Sequence, residues 1–337
     1  MTKTDVYEKV SERITEALDK GTVPWRKPWS SIGGPRNILG KKYRGINIFL
    51  LELTAAALDY GDPRWGTFKA MKDAAVAQAK RDGREIIEEK VVNPKTGREK
   101  TVVYEIIDGE RVPFRGGVRQ GEKGTEIILW KPVPKKKTSD EEKPGSYLLL
   151  RSYYVFNATQ CDGVPTFDSP VLQQHERREA AQEIIDGYED GPEVDFGFRN
   201  RAYYDRVEDK VCMPNLEQFE SADAFYSTTF HELVHSTGSE SRLARKFGDT
   251  FGDDPYSREE LVAEMGAAML AALSGVENDQ QQIERSAAYV EHWSQEIKDE
   301  PKLIVQAAAA AQKAADRILG TSFEKPVEAP ETALVAS

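Results

Sequence analysis

The segment His231-Glu232-Leu233-Val234-His235 constrains this 337-residue chain more than any other, because its chemistry requires a helix at a fixed place. Ser221 supplies a start signal, apolar residues recur at 222, 225, 226, 230, 233 and 234, and Gly238 supplies a stop, so an amphipathic helix is predicted between them. Four residues apart, His231 and His235 leave the same face and can bind one Zn²⁺ from adjacent turns. Glu232 points about 100° away, where its carboxylate can reach the water on the metal without ligating the metal. That is the position of a general base in hydrolysis of a carbonyl compound. Of the four histidines in the chain, His175 and His292 lack such company and are expected at the surface, although His292 could pack near the site.

A second helix is predicted to begin at Ser257-Arg258-Glu259-Glu260 and to continue LVAEMGAAMLAAL, whose small residues suit close packing against a neighbour. Glu260 and Glu264 share a face, so one can ligate zinc while the other orients a ligand histidine. Glu260 is the preferred third ligand and Glu264 the alternate. The competing reading of Ser257-x-x-Glu260 is a capping box, in which the glutamate satisfies a backbone N–H.

The chain exceeds the usual size of one compact domain, and its pattern divides it. Residues 1–163 read as an α+β domain with an antiparallel sheet, 164–175 as a linker, 176–320 as a mainly helical domain, and 321–337 as a disordered tail. A polar amphipathic helix opens the chain, and Gly21 to Gly40 reads as an ordered loop. Helices are expected at about 46–59 and over 64–80. IIEEKVV and EKTVVYEII flank a turn at Asn93-Pro94-Lys95-Thr96-Gly97, Asp108-Gly109 turns the chain again, and Thr125–Trp130 with Tyr147–Phe156 make a second hairpin. Phe196–Tyr204 and Lys210–Met213 read as short strands within the helical half. No stretch approaches the roughly 20 apolar residues of a membrane span, and the N-terminus has no apolar leader core. A cytoplasmic protein without membrane contact is expected, with Cys161 and Cys212 as reduced thiols.

The net charge of −11 hides an asymmetry: residues 1–150 hold 29 Lys+Arg against 22 Asp+Glu, leaving 17 against 35 in the remainder. A basic half is drawn to phosphate backbones. Between Lys20 and Lys72 there are ten Lys+Arg and three Asp+Glu, interleaved with Trp25, Trp29, Tyr43, Phe49, Tyr60, Trp65 and Phe68. Rings on which bases stack, beside cations that neutralise phosphates, suit single strands. The candidate DNA-binding residues are Trp25, Arg26, Trp29, Arg36, Asn37, Lys41, Lys42, Tyr43, Arg44, Asn47, Trp65 and Lys123. The bland reading makes the tryptophans core, with Trp65 and Phe68 the first to be so, three apart on one predicted helix.

PWRKPW at 24–29, PRN at 35–37, KKYRGIN at 41–47, RWGTFK at 64–69, QGEKGT at 120–125 and VFNATQCDG at 155–163 occur in the first half. YYDRVEDKVCMP at 203–214, HELVHSTG at 231–238, SRLARKFGD at 241–249 and EELVAEMGAAML at 259–270 follow in the second, with AAYVEHW and QAAAAAQKAADRIL near the end. In this order they resemble the ArdC-type antirestriction proteins of plasmids and phages, whose N-terminal region is shared with TraC-type primases. The resemblance implies a non-catalytic single-stranded-DNA-binding domain, then a zincin-like metallopeptidase domain of gluzincin type, and protection of incoming DNA from restriction. It also supports Glu260 as third ligand. Two departures stand out: Ser236 replaces the family's usual Trp and is expected to reshape a cleft wall, and residues 74–118 are longer than usual.

The leading expectation is therefore a DNA-binding protein with Zn²⁺ on His231, His235 and Glu260, Glu232 as base, and an unnamed protein substrate. The alternative is a DNA-shielding protein with a structural, non-catalytic zinc. A third reading, in which the basic half binds another protein, predicts little salt dependence.

Overall fold

In the computed structural model, the described residues are 5–25, 34–92, 97, 99–134, 146–167, 174–246, 254–277 and 283–321. They form two compact units, one of Met1–Pro24 with Trp29–Val171, the other of Trp25–Pro28 with Leu172–Ser337. The mixed helix and strand content is that of an α+β chain. Arg26 and Trp29, residues 93–96 of the predicted turn and the expected tail from residue 322 lie outside the described residues.

The first unit opens with α1 (Val6–Asp19), capped by a reciprocal box between Asp5 and Glu8. After β1 (Arg36–Asn37), α2 (Ile46–Leu58) is buried on most of its circumference, and it stops where Asp59 turns left-handed. The helix expected over 64–80 is in fact β2 (Arg64–Gly66) followed by α3 (Phe68–Arg81), because Thr67 accepts a hydrogen bond from Ala70 N and starts the helix there. Next come β3 (Ile86–Val92), β4 (Glu99–Ile107), β5 (Glu110–Pro113), β6 (Gly117–Val118), β7 (Thr125–Pro134), β8 (Ser146–Asn157) and β9 (Cys161–Asp162).

The main sheet runs β1-β2-β8-β7, with β7 and β8 antiparallel from Thr125↔Val155 onward. Its core joins Leu51, Ala55, Trp65, Ile127 and Val155. The outer edge of β7 is covered from within the unit: Asn47 donates to Ile128 O at 2.7 Å and accepts from Ile128 N at 2.9 Å, and Arg13 donates to Glu126 O at 3.0 Å. The segment at 74–118 contains the separate sheet β3-β4-β5, which packs on α3 through Ile86 and Val103. Asp108 and Gly109 both take positive φ between β4 and β5, as a two-residue hairpin turn requires.

The second unit contains α4 (Gln174–Asp186), β10 (Glu193–Gly197), β11 (Tyr203–Asp205), β12 (Lys210–Pro214), α5 (Ala222–Ser236), α6 (Asp254–Ser274), α7 (Ile283–Asp299) and α8 (Leu303–Ile318). Its sheet order is β10-β12-β11, the first pair parallel and the second antiparallel. Helices α5 and α6 approach closely at Gly266, where an added Cβ would lie 2.8 Å from Val234 Cγ2. Trp25 belongs to this unit and is buried with its ring 5.8 Å from that of Trp293 on α7. Among the described residues, no helix is long and apolar enough to cross a membrane.

Candidate metal centre

Helix α5 starts where the sequence predicts, with the Ser221 hydroxyl accepting from Ala224 N at 3.0 Å. Its last carbonyls, which have no partner within the helix, are met by two arginines from the turn that follows. Arg242 donates to Ser236 O at 2.8 Å, and Arg245 donates to Val234 O at 2.8 Å. These guanidinium groups also complement the negative end of the helix dipole. Helix α6 begins at Asp254, three residues earlier than expected, with Pro255 in its first turn. Ser257 is therefore inside the helix, and its hydroxyl donates to Glu296 Oε2 at 3.1 Å. The capping-box reading falls away, and the Glu260 carboxylate turns to the histidines of α5 instead.

There His231 Nε2 and His235 Nε2 are 3.0 Å apart, and Glu260 reaches them with Oε2 at 3.4 Å and Oε1 at 3.3 Å respectively. Donors about 2.0–2.2 Å from a tetrahedral ion stand about 3.3–3.6 Å from one another, so the two imidazole nitrogens and the Glu260 carboxylate have about the spacing of a ligand set. They are the only such group among the described residues. Glu264 is not in this group of donors, and the carboxylate that faces His235 Nδ1 is that of Glu259, whose Oε1 lies 3.3 Å away. Arg245 grips Glu259 through Nε at 2.9 Å and a terminal nitrogen at 2.7 Å, and donates to Thr237 Oγ1 at 2.6 Å.

The field of the site is strongly anionic. Burial opposes a charge on either histidine, yet hydrogen bonds donated to Glu259 and Glu260 outweigh it and push the His235 pKa up to about 10. His231 rises for the same reason through Glu260. Burial works against ionised Glu260, but both imidazoles hold it well below the usual carboxylate range. Such a pocket seeks positive charge, and the donors, two imidazoles and a carboxylate, suit a divalent cation. Glu232 is half-buried on the flank of α5. Ser236 is buried and bonds the carbonyl of Leu233 at 2.7 Å, so it packs inside the unit and forms no open cleft wall.

The candidate DNA-binding residues part company in the structure. Trp65 is 1% exposed, Trp25 is packed on Trp293, and Asn47 is committed to the β7 edge, so none offers a free face to a base. Tyr43 packs against the main core, and burial pushes its pKa up to about 12. Asn37 shapes the turn that follows it, accepting from Leu39 N and Lys41 N. Arg36 stacks on Phe167 and Arg44 is half-buried, whereas Lys41, Lys42 and Lys123 are exposed. Other rings are accessible, Trp130 among them: Phe68, 60% exposed and not core, lies 6.2 Å from Phe156, and Tyr154, 57% exposed, stands two residues from Phe156 on β8. Alternation along β8, with Val155 buried between them, is the sequence signal that marks those rings as one sheet face.

Comparison with known proteins places both units. Residues 4–156 match the N-terminal domain of anti-restriction factor ArdC, and residues 179–310 match a zincin-like metallopeptidase domain. The Mn(II)-bound crystal structure of the antirestriction ArdC protein from the R388 plasmid is 32% identical, with a TM-score of 0.66 over 94% of this chain and 97% of that one. Its metal-free form is 30% identical, with a TM-score of 0.67 over 95% and 100%. A DNA primase TraC of Escherichia coli is 33% identical over 96% of this chain, which spans only 28% of that protein's length. An uncharacterised protein of Sinorhizobium fredii, y4eC, is 29% identical over 94% of this chain and 92% of its own.

Proposed function

The chain belongs to the ArdC family of antirestriction proteins, and on that premise we propose that it protects incoming DNA of a mobile element from restriction, its first unit binding single-stranded DNA and its second carrying a zinc metallopeptidase-type site. The observation that carries the metal half is the convergence of His231, His235 and Glu260 at separations of 3.0, 3.3 and 3.4 Å. When bound there, zinc would supply Lewis acidity, making water nucleophilic near neutral pH and polarising a carbonyl. Glu232 then takes the proton of the attacking water and passes it to the leaving amine, the general acid–base role its place on the flank of α5 supports. The substrate of this step is a polypeptide.

For the first unit, exposed Lys41, Lys42 and Lys123, together with the rings of Phe68 and Tyr154, support a single-stranded partner whose phosphates and bases need different contacts. The deciding experiment compares the wild type with Glu232→Gln in a transfer assay that delivers unmodified DNA to a restricting host. Removing a general base costs about 10²–10⁴-fold in turnover, so protection is expected to collapse while zinc content stays at one equivalent per chain. Undiminished protection by a zinc-loaded Glu232→Gln chain would instead make this a DNA-shielding protein whose metal is structural.

A further inference from the structure

Glu259 and Arg245 stand outside the group of donors, yet Glu259 faces one of them and Arg245 holds Glu259 there. Glu259 is 5% exposed, and burial of so polar a group requires partners on both oxygens. Oε2 accepts from Arg245 Nε at 2.9 Å, while Oε1 accepts from the Arg245 terminal nitrogen at 2.7 Å and faces His235 Nδ1 at 3.3 Å. An ionised carboxylate only accepts, so the contact with Glu259 keeps a hydrogen on Nδ1 and leaves Nε2 as the nitrogen that a metal ion would take, displacing any proton there. Nε2 is the atom that faces His231 and Glu260. Arg245 is itself immobilised by Thr237 and by Val234 O, within the last turn of the helix that bears the histidines.

We propose that Arg245 and Glu259 form a positioning relay that locks His235 into the Nδ1–H tautomer and sets metal affinity from outside the ligand set. Arg245 has two effects. It holds the carboxylate in the plane where Nδ1–H can reach it, and it cancels the Glu259 charge, so that Glu260 alone supplies net negative charge among these groups. The relay rests on the metal-centre reading above and adds to it the residues that tune the site.

The test uses the full chain, loaded with Co²⁺ or Zn²⁺ against a competing chelator, and reads the dissociation constant and the visible Co²⁺ spectrum. Glu259→Gln keeps size and shape while weakening the acceptor, and is expected to raise the dissociation constant about 10–100-fold and to shift the spectrum. Arg245→Ala is expected to act in the same direction. The double variant should be no weaker than the worse single one, because both substitutions break the same chain of bonds. Arg242→Ala supplies the structural control. It removes a cap on the same helix end without touching His235, so thermal stability falls while the metal constant stays within about twofold, well short of the change expected for the relay. Equal affinity in wild type and Glu259→Gln overturns the relay and leaves the metal centre standing, as does an Arg242→Ala effect as large as that of Glu259→Gln. A wild-type chain that takes up neither metal, like one whose uptake is unchanged by His235→Ala, overturns the metal centre and the relay with it.

Discussion

Asp209 sits at positive φ, a backbone conformation that Asp and Asn tolerate better than most residues, and is paired with the largely buried guanidinium of Arg242. The Arg242 hydrogen bond holds its carboxyl below the usual carboxylate range, against the opposing effect of burial. A depressed pKa in the folded state contributes stability that is complete above the unfolded value and is lost as pH falls through the folded one. Asp209→Asn keeps the backbone preference and removes the charge. Its urea midpoint should lie below that of the wild type at about pH 7, with a gap that starts to close near about pH 4 and is gone at lower pH. A gap unchanged by acid would show that the pair does not carry this linkage. Single residues are also where sequence reading fell short. Neighbouring positions on a helix lie about 100° apart, so face reasoning that selects Glu260 looks four residues on, to Glu264, and passes over Glu259. An imidazole has two nitrogens on different sides, however, and adjacent residues can each meet one. Arg245 comes from an irregular turn, where no periodicity points to a partner.

Local signals located the elements more surely than they located what the elements touch. Ser221 and Gly238 bracket α5 because capping is written within a few residues, and the Asp108-Gly109 turn is legible for the same reason. Merging 64–80 into one helix put Trp65 and Phe68 on a common face, whereas Thr67 separates a strand from a helix and sends one ring into the core and the other to solvent. The order β1-β2-β8-β7 depends on pairings between distant segments, which no local pattern encodes. The approach of α5 and α6 gives a quantitative expectation. Gly266→Ala recovers about 1 kcal/mol of helix propensity but drives a methyl into the β-branched Val234, whose rotamer is nearly fixed. Overpacking costs about 1–3 kcal/mol, so a net loss of up to about 2 kcal/mol is expected in chemical denaturation. Val234→Ala in the same chain should return part of it. Stabilisation by Gly266→Ala alone would mean that the two helices have room to part.

Across the whole chain, charge divides the work: an excess of seven cations in residues 1–150 accompanies an excess of eighteen anions beyond them. If the cations hold phosphates, binding of a single-stranded oligonucleotide weakens linearly in log salt, and each lost phosphate contact flattens the slope by about 0.7. Lys41→Ala with Lys42→Ala should therefore flatten it by about 1.4. Phe68→Ala or Tyr154→Ala should weaken binding by about 1–3 kcal/mol per stacked base without altering the slope. Retained affinity in both sets would place the strand elsewhere on the unit or remove it. The edge of β7 carries a different lesson. The Ile128 N–H and C=O are occupied by Asn47 from α2, and the Glu126 C=O by Arg13 from α1. A fragment shortened from the front past Arg13 would keep most of its core and lose one of those three hydrogen bonds. The first helix thus also acts as a guard against polymerisation, since an open strand of this kind recruits copies of itself.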